Sequence, residues 1–452
     1  MPKYFGTDGI RGEANGSVLT PDLIMRIAQA TAQVMGQKSP HNRPTVVIGK
    51  DTRLSGYMIE SALEAGFTSA GFYCLLVGPL PTPAVAMLTN SLRADVGVMI
   101  TASHNPFADN GIKIFTSEGV KLCQKKVDEI ETLIDNPKSI KLASSDKIGK
   151  AVRIEDAVGR YMESCKTSVP KDFYLRDKRI VVDCANGAAY KIAPKIFWEL
   201  GAQVIRMGVD PDGYNINRNV GATAPEAMCR AVQSHGASMG IALDGDADRL
   251  IMCDENGHVI DGDHILAAIA LDMKAKGTLA HNTVVSTIMA NMGLDKFLSD
   301  NGIKLIRTAV GDHNVEREMR ENGYMLGGEP SGHLIFRDFA NTGDGILAAL
   351  QVAAYLQEKG QPASSLRKFF TPFPMELTNI RLGDGANAQA IVEDEKLQTA
   401  VEKANKNLGD SGRVFIRKSG TEPLIRITVE AEKEEDVATY TQELSDLVNS
   451  AA

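Results

Sequence analysis

Four short stretches of the chain gather the side chains that could do chemistry. They are Thr101-Ala102-Ser103-His104-Asn105-Pro106, Asp244-Gly245-Asp246-Ala247-Asp248-Arg249, Gly327-Gly328-Glu329-Pro330-Ser331-Gly332-His333, and Arg417-Lys418-Ser419-Gly420-Thr421-Glu422-Pro423 with Arg426 just beyond. In the first, a hydroxyl placed past the end of an apolar run, with an imidazole beside it, suits a nucleophile; a turn in which Ser103 and Asn105 serve the backbone is the competing reading. No Gly-x-Ser-x-Gly surrounds Ser103, which argues against an α/β-hydrolase. In the second, three carboxylates at alternate positions on a bent chain can turn toward one hard cation. Without His or Cys among them the set favours Mg²⁺ over zinc, and a phosphorylated Ser103 would supply the missing ligand. A solvated acidic turn would also fit the composition, but that much like charge between two apolar strands is costly without a counter-ion. An EF-hand fails, because Arg249 stands where its glycine is required and a strand pattern follows.

The third stretch combines flexible backbone with a carboxylate, a hydroxyl and an imidazole. Glu329 and Ser331 could bond vicinal hydroxyls of a sugar, with His333 in reach of a proton transfer; an ordinary glycine-rich turn is equally compatible. The fourth offers guanidinium forks, two hydroxyls and glycine N–H groups, a cradle for phosphate. The chain contains no G-x-x-x-x-G-K-[ST], so a nucleotide triphosphate is not implied.

Each stretch begins where an apolar run ends, which is where open α/β sheets place their ligands. Strands are expected at 45–48, 73–77 and 96–100, with helices over 21–36 (Thr20 as N-cap, Pro21 at N1) and 57–67. A second block repeats the pattern with strands at 179–183, 203–207, 238–242 and 250–253. A third has strands at 283–286, 305–308 and 324–326 and a helix over 345–357. After Pro372 and Pro374 come a strand at 376–382, a helix over 394–407, a strand pair flanking Ser419 and a closing helix. The expected fold is α/β, with three similar mixed or parallel sheet domains (1–150, 151–255, 256–368) followed by a smaller α+β domain (369–452).

At 452 residues the chain is long enough for roughly three or four packed units. Its 49 Lys and Arg against 57 Asp and Glu leave a net charge of −8, the wrong sign for a nucleic-acid backbone, so an anionic ligand must be held by local cations. Six scattered cysteines without a C-x-x-C pair suggest reduced thiols. The start of the chain has no apolar leader, and the longest apolar runs are too short to span a bilayer, so a cytoplasmic protein without membrane contact is expected.

In this order the four stretches resemble the α-D-phosphohexomutase superfamily, most closely its amino-sugar branch. The stretches Tyr4 to Gly12, Gly49-Lys50-Asp51-Thr52-Arg53, Asp183-Cys184-Ala185-Asn186-Gly187 and Asp212-Gly213-Tyr214-Asn215-Ile216-Asn217 look like further signatures of that family. The resemblance implies four domains around a central cleft, a phosphoserine at Ser103, and one Mg²⁺ held by Asp244, Asp246, Asp248 and the phosphoserine. It further implies Arg11, His104, Lys113 and Arg249 around the moving phosphoryl group, with Lys113 or His333 as acid or base. Sugar contacts would come from Glu329 and Ser331, and phosphate contacts from Arg417, Ser419, Gly420, Thr421 and Arg426. The implied activity interconverts glucosamine 6-phosphate and glucosamine 1-phosphate through glucosamine 1,6-bisphosphate, feeding UDP-N-acetylglucosamine and cell-wall precursors, with room for a homodimer. Pro330 and the short segment before Phe5 favour the amino sugar over a phosphomannomutase or phosphoglucomutase. A phosphomonoesterase using the same serine and metal, or a catalytically silent sugar-phosphate sensor, would share some of these features. The chain departs from the family pattern at Gly311-Asp312-His313-Asn314 and at Asn217-Arg218-Asn219-Val220-Gly221-Ala222.

Overall fold

Residues 96–100, Val-Gly-Val-Met-Ile, are buried at every position, which a strand achieves only in the middle of a sheet covered on both faces. A computed structural model of the chain describes residues 3–6, 8–36, 43–383, 387–418 and 424–451. It divides into two units, residues 1–289 with 301–369, and residues 290–300 with 370–452.

Among the described residues the larger unit holds three sheets. The first has six strands in the order Ile10–Glu13, Asp109–Thr116, Val96–Ile100, Thr45–Lys50, Tyr73–Pro79, Ala151–Arg153. Its last four run parallel, and Asp109–Thr116 is antiparallel to both neighbours. The second has the order Val259–Ile260, Leu250–Asp254, Met239–Leu243, Arg179–Asp183, Gln203–Met207, and the third Lys304–Thr308, Thr283–Thr287, Leu326–Gly328, Leu334–Phe336. In all three sheets one device recurs. A buried strand parallel to its neighbour leads into a short loop, and the chain returns as an antiparallel strand beside it: Val96–Ile100 with Asp109–Thr116, Met239–Leu243 with Leu250–Asp254, Leu326–Gly328 with Leu334–Phe336. The Ser103, Asp244–Arg249 and Glu329–His333 stretches are the tips of these hairpins.

The expected strands lie within a residue or two of those observed, and the differences have local causes. Asp109–Thr116 escapes a reading by pattern because Asn110, Gly111 and Lys113 interrupt its apolar character, yet positions 110–115 are all buried. The third-sheet strand begins at Leu326, two residues later than expected, and takes in Gly327 and Gly328, so these glycines are strand and not loop. A Cβ at Gly327 would stand 2.5 Å from Met319 Sδ and one at Gly328 would stand 2.6 Å from the His333 carbonyl, so close packing requires both.

In the smaller unit, Leu424–Ala431 is the central strand of an antiparallel sheet, with Met375–Arg381 on one side and Gly412–Lys418 on the other, packed by the helices Glu395–Leu408 and Glu434–Ala451. The helix Met292–Asp300 also lies in this unit. The Met292 N–H donates to Glu430 Oε1 at 2.6 Å, and Arg413 Nη2 donates to the Ala290 carbonyl at 2.6 Å. Among the described residues no helix is long and apolar enough to cross a membrane. All six cysteines are free thiols, five of them buried and Cys123 exposed.

The helix Gly345–Lys359 behind the second and third hairpins starts at Asp344, whose Oδ1 accepts the N–H groups of Ile346 (3.0 Å) and Leu347 (2.9 Å) while its carboxyl also accepts Tyr161 Oη–H at 2.9 Å. Burial pushes this carboxyl up to about 6 from its ordinary 3.8. The folded state therefore keeps a proton that the unfolded chain releases near its ordinary value, and stability falls as pH rises from about 4 through about 6. Asp344→Asn preserves the acceptor for both N–H groups and removes the titration. Equilibrium denaturation at about pH 8 should show a gain of up to ~3 kcal/mol and a flatter pH profile; a loss of stability at that pH would contradict the assignment.

Candidate active site

Ser103 has φ 51°, the left-handed region that residues with a Cβ rarely occupy. The conformation is stitched locally by its own N–H donating to Thr101 Oγ1 at 2.9 Å. It aims the hydroxyl out of the first sheet and into the second hairpin, where Ser103 Oγ donates to Asp244 Oδ2 at 2.6 Å, with His104 Nδ1 3.3 Å away on the other side. Burial, with Arg249 and Arg11 nearby, pushes the His104 imidazole down to about 4, so it is neutral at physiological pH.

Asp244, Asp246 and Asp248 are 0%, 0% and 4% exposed, and one oxygen from each lies within 4.8 Å of the others. Their charge is met from the neighbouring strand. Lys113, 1% exposed in Asp109–Thr116, places Nζ 2.8 Å from Asp246 Oδ2, 3.0 Å from Asp248 Oδ2 and 3.3 Å from Asp8 Oδ2. Burial alone would push this ammonium down, but the three carboxylates outweigh it and hold it well above the ordinary lysine range. Thr82 Oγ1 donates to Asp246 Oδ2 at 2.6 Å, and the Arg249 N–H donates to Asp244 Oδ1 at 3.2 Å. Asp244 remains well above the usual carboxylate range through burial and the charges of Asp248 and Asp246. Burial pushes Asp248 the same way, but Lys113 and His333 override it and hold that group well below. Asp246 Oδ1 and Asp248 Oδ1 are buried with no hydrogen-bond partner among the described residues. An anionic, all-oxygen set with unsatisfied lone pairs fits a hard divalent cation such as Mg²⁺.

Arg11 lies on Ile10–Glu13 beside Gly111, and its guanidinium pairs with Asp8. Asp8 also pairs with Lys121, whose Nζ reaches Asp312 Oδ2 at 2.5 Å and so joins the first and third domains. His333 is buried between the two carboxylates, Nδ1 3.8 Å from Asp248 and Nε2 3.7 Å from Asp312, and Nε2 accepts the Gly343 N–H at 3.1 Å. Burial opposes charging the ring, but Asp248, Asp312 and Glu329 raise its proton affinity above the ordinary value. Asp248, Asp312 and His333 form a second converging triplet, but Lys121 and the Gly343 N–H already engage two of its members. Glu329 is buried, accepts the Gly311 N–H at 3.4 Å and is raised by burial, while Ser331 is exposed at the hairpin tip. His313, at the departure from the family pattern, has its Nδ1 buried with no hydrogen-bond partner among the described residues and its imidazole pushed down by burial.

The larger unit thus brings together Ser103, His104, Lys113, Arg11, the three aspartates, Arg249, His333 and Glu329. In the smaller unit Arg417 and Arg426 stand opposite each other on paired strands, and burial together with the Arg426 charge lowers Arg417. Ser419, Gly420 and Thr421 lie outside the described residues. Asp8, Thr82, Lys121 and Asp312 join the site without having stood out in the sequence as candidates. Asp8 and Asp312 sit in glycine-rich, aspartate-bearing stretches that carry a signal, but Thr82 and Lys121 carry none.

Residues 2–141, 159–257 and 261–373 match the alpha/beta/alpha domains I, II and III of phosphoglucomutase/phosphomannomutase, and residues 377–447 match its C-terminal domain. A phosphoglucosamine mutase of Rhodopseudomonas palustris is 52% identical over 450 residues, covering 100% of this chain and 98% of that protein. One of Methylorubrum populi is 52% identical over 452 residues, covering 100% of both. The fold resembles a phosphoglucomutase/phosphomannomutase family protein from Burkholderia thailandensis, with TM-score 0.81, 22% identity and coverage of 100% and 98% of the two chains. It also resembles the N-acetylphosphoglucosamine mutase of Aspergillus fumigatus solved with GlcNAc-6P and magnesium, with TM-score 0.68, 18% identity and coverage of 100% and 96%. With all four domains matched and half of its residues shared end to end with such relatives, the chain belongs to the phosphoglucosamine mutase family of the α-D-phosphohexomutase superfamily.

Proposed function

We infer that this chain interconverts glucosamine 6-phosphate and glucosamine 1-phosphate through a phosphorylated Ser103 and a 1,6-bisphosphate. The observation that carries the reading is the left-handed serine whose Oγ lies 2.6 Å from a carboxylate of the buried aspartate triplet. The identity of the sugar is supported by the full-length relatives named phosphoglucosamine mutase.

In this reading the P–O bond to Ser103 Oγ breaks as a bond to the sugar 1-hydroxyl forms, and the hydroxyl proton passes to a base. The bisphosphate then turns over and returns its 6-phosphoryl group to Ser103. Arg11 and Arg249 bind oxygens of the moving group, and Lys113, held charged by its carboxylate partners, adds a fixed positive charge. His333 is the better base of the two candidates, since its Nε2 presents a lone pair, which accepts the Gly343 N–H, while Lys113 is held charged by three carboxylates. Asp244, Asp246 and Asp248, with an oxygen of phosphorylated Ser103, would hold Mg²⁺, which supplies Lewis-acid stabilisation of the transferring phosphoryl group. Glu329 and Ser331 are proposed for the sugar hydroxyls, and Arg417 and Arg426 for a phosphate ester. The magnesium in the Aspergillus complex is consistent with the cation assignment.

The test is interconversion of the two glucosamine phosphates followed by ³¹P NMR, with glucose and mannose phosphates in parallel. Glucosamine phosphates should be preferred, Ser103→Ala should lose about 10³-fold or more in kcat, and solvent ¹⁸O should stay out of the product esters. Preference for the plain hexoses, release of free phosphate at the rate of isomerisation, or an active Ser103→Ala each discards the reading. Lys113→Met leaves three carboxylates facing one another, so its metal-free form should lose about 3–5 kcal/mol in denaturant titrations. Added Mn²⁺ should restore more of that loss than it adds to the parent protein, and an equal response in both would remove the triplet as the cation site.

A further inference from the structure

The loop bearing Ser103 is gripped from behind by two side chains that no step above employs. Arg53 Nη2 donates to the Ser103 carbonyl at 3.2 Å and to the Asn105 carbonyl at 2.6 Å. Asn217 Nδ2, from the second domain, donates to the same two carbonyls at 2.9 and 3.1 Å. Both anchors are themselves fixed. Arg53 is 1% exposed and pairs through Nη1 with Asp51, whose Oδ1 also accepts the Arg53 N–H at 2.9 Å. Asn217 is left-handed, with φ 59°, and its N–H donates to the Ala185 carbonyl at 2.8 Å. A Cβ on Gly245 would lie 2.5 Å from the Ser103 carbonyl and 3.0 Å from Asn217 Nδ2, so the aspartate hairpin closes the third side. The clamp bonds run to backbone carbonyls of the serine loop, not to the side chains of Asp244, Asp246, Asp248, Glu329 or His333.

A serine at φ 51° relaxes toward negative φ unless its surroundings over-determine it. Relaxation would carry Oγ away from Asp244, and transfer rates fall steeply with displacements on the ångström scale. We propose that Arg53 and Asn217 are positioning residues for phosphoryl transfer, holding Ser103 in its left-handed conformation by pinning the carbonyls on either side of His104. This rests on Ser103 being the phosphorylated group. Because the clamp touches the loop's backbone and not the sugar contacts or the aspartates, it acts on kcat and not on substrate affinity or on the cation affinity of the unphosphorylated protein, in which Ser103 brings no phosphate oxygen.

The experiment compares Asn217→Ala, the isosteric Asn217→Asp, Asn217→Ser and Arg53→Lys in the full chain. Asn217→Ala and Arg53→Lys should lower kcat 10- to 100-fold, with KM and the Mn²⁺ affinity of the unphosphorylated protein within about twofold of the parent. Asn217→Asp, which turns a carboxylate toward two carbonyl oxygens, should fall further than Asn217→Ala, and Asn217→Ser, which keeps a donor, should recover part of the loss. Unchanged kcat in the Asn217 variants, or kcat, KM and Mn²⁺ affinity drifting together, overturns the clamp. If the parent fails to interconvert glucosamine phosphates, the sugar assignment fails. The clamp is then read from the rate at which glucose 1,6-bisphosphate adds one phosphate to the protein, by intact mass. Equal rates in parent and variants, or no phosphate uptake by the parent, overturn it.

Discussion

Three carboxylates of one turn, taken almost fully out of water, cost several kcal/mol per ion unless opposite charge meets them at close range. Asp244, Asp246 and Asp248 come from the second sheet, and the ammonium that meets two of them, Lys113, comes from the first. Neither sheet can bury its own half of this pairing without the other, so the electrostatics of the site also fix how the two domains pack. Lys121 repeats the logic between Asp8 and Asp312, tying the third domain to the first. The Coulomb energy that holds the domains in place is the same energy that prepares the site for a phosphoryl group.

The geometry that makes this feasible is a hairpin used repeatedly. A parallel strand buried on both faces carries the chain outward, a short loop turns, and an antiparallel strand carries it back. The loop residues are thereby held at both ends by a hydrogen-bonded ladder. In the first domain the returning strand delivers Lys113, and in the second it starts at Leu250, directly after Arg249. In the third it begins just past His333, whose backbone bridges to Arg249. Rigid support of this kind permits Ser103 and Ala247 to occupy left-handed backbone that a free loop would abandon.

Much of this is legible in the residues. Strands such as Val96–Ile100, Arg179–Asp183 and Gln203–Met207 fall where their β-branched runs predict, and the first helix starts at Pro21 as its local signal predicts. Ser103, the aspartate triplet, Glu329 and His333 stand out because charged and hydroxyl groups crowd into short loops between apolar strands. Strand Asp109–Thr116 is hidden, since a buried lysine in its centre breaks the apolar pattern. Its burial makes sense only beside carboxylates more than a hundred residues away.

The chain's own order of residue types determined the α/β succession, the four chemical stretches and the classes of ligand they suit, because periodicity and local clustering are short-range properties. Tertiary structure alone decided which charges neutralise which, that Lys113 faces the aspartates, and that Thr82, Lys121, Arg53 and Asn217 reach the same loops and their neighbours. It also decided the handedness of Ser103. Coulomb and hydrogen-bond energies depend on distance through space, and only the packing of separate sheets sets those distances.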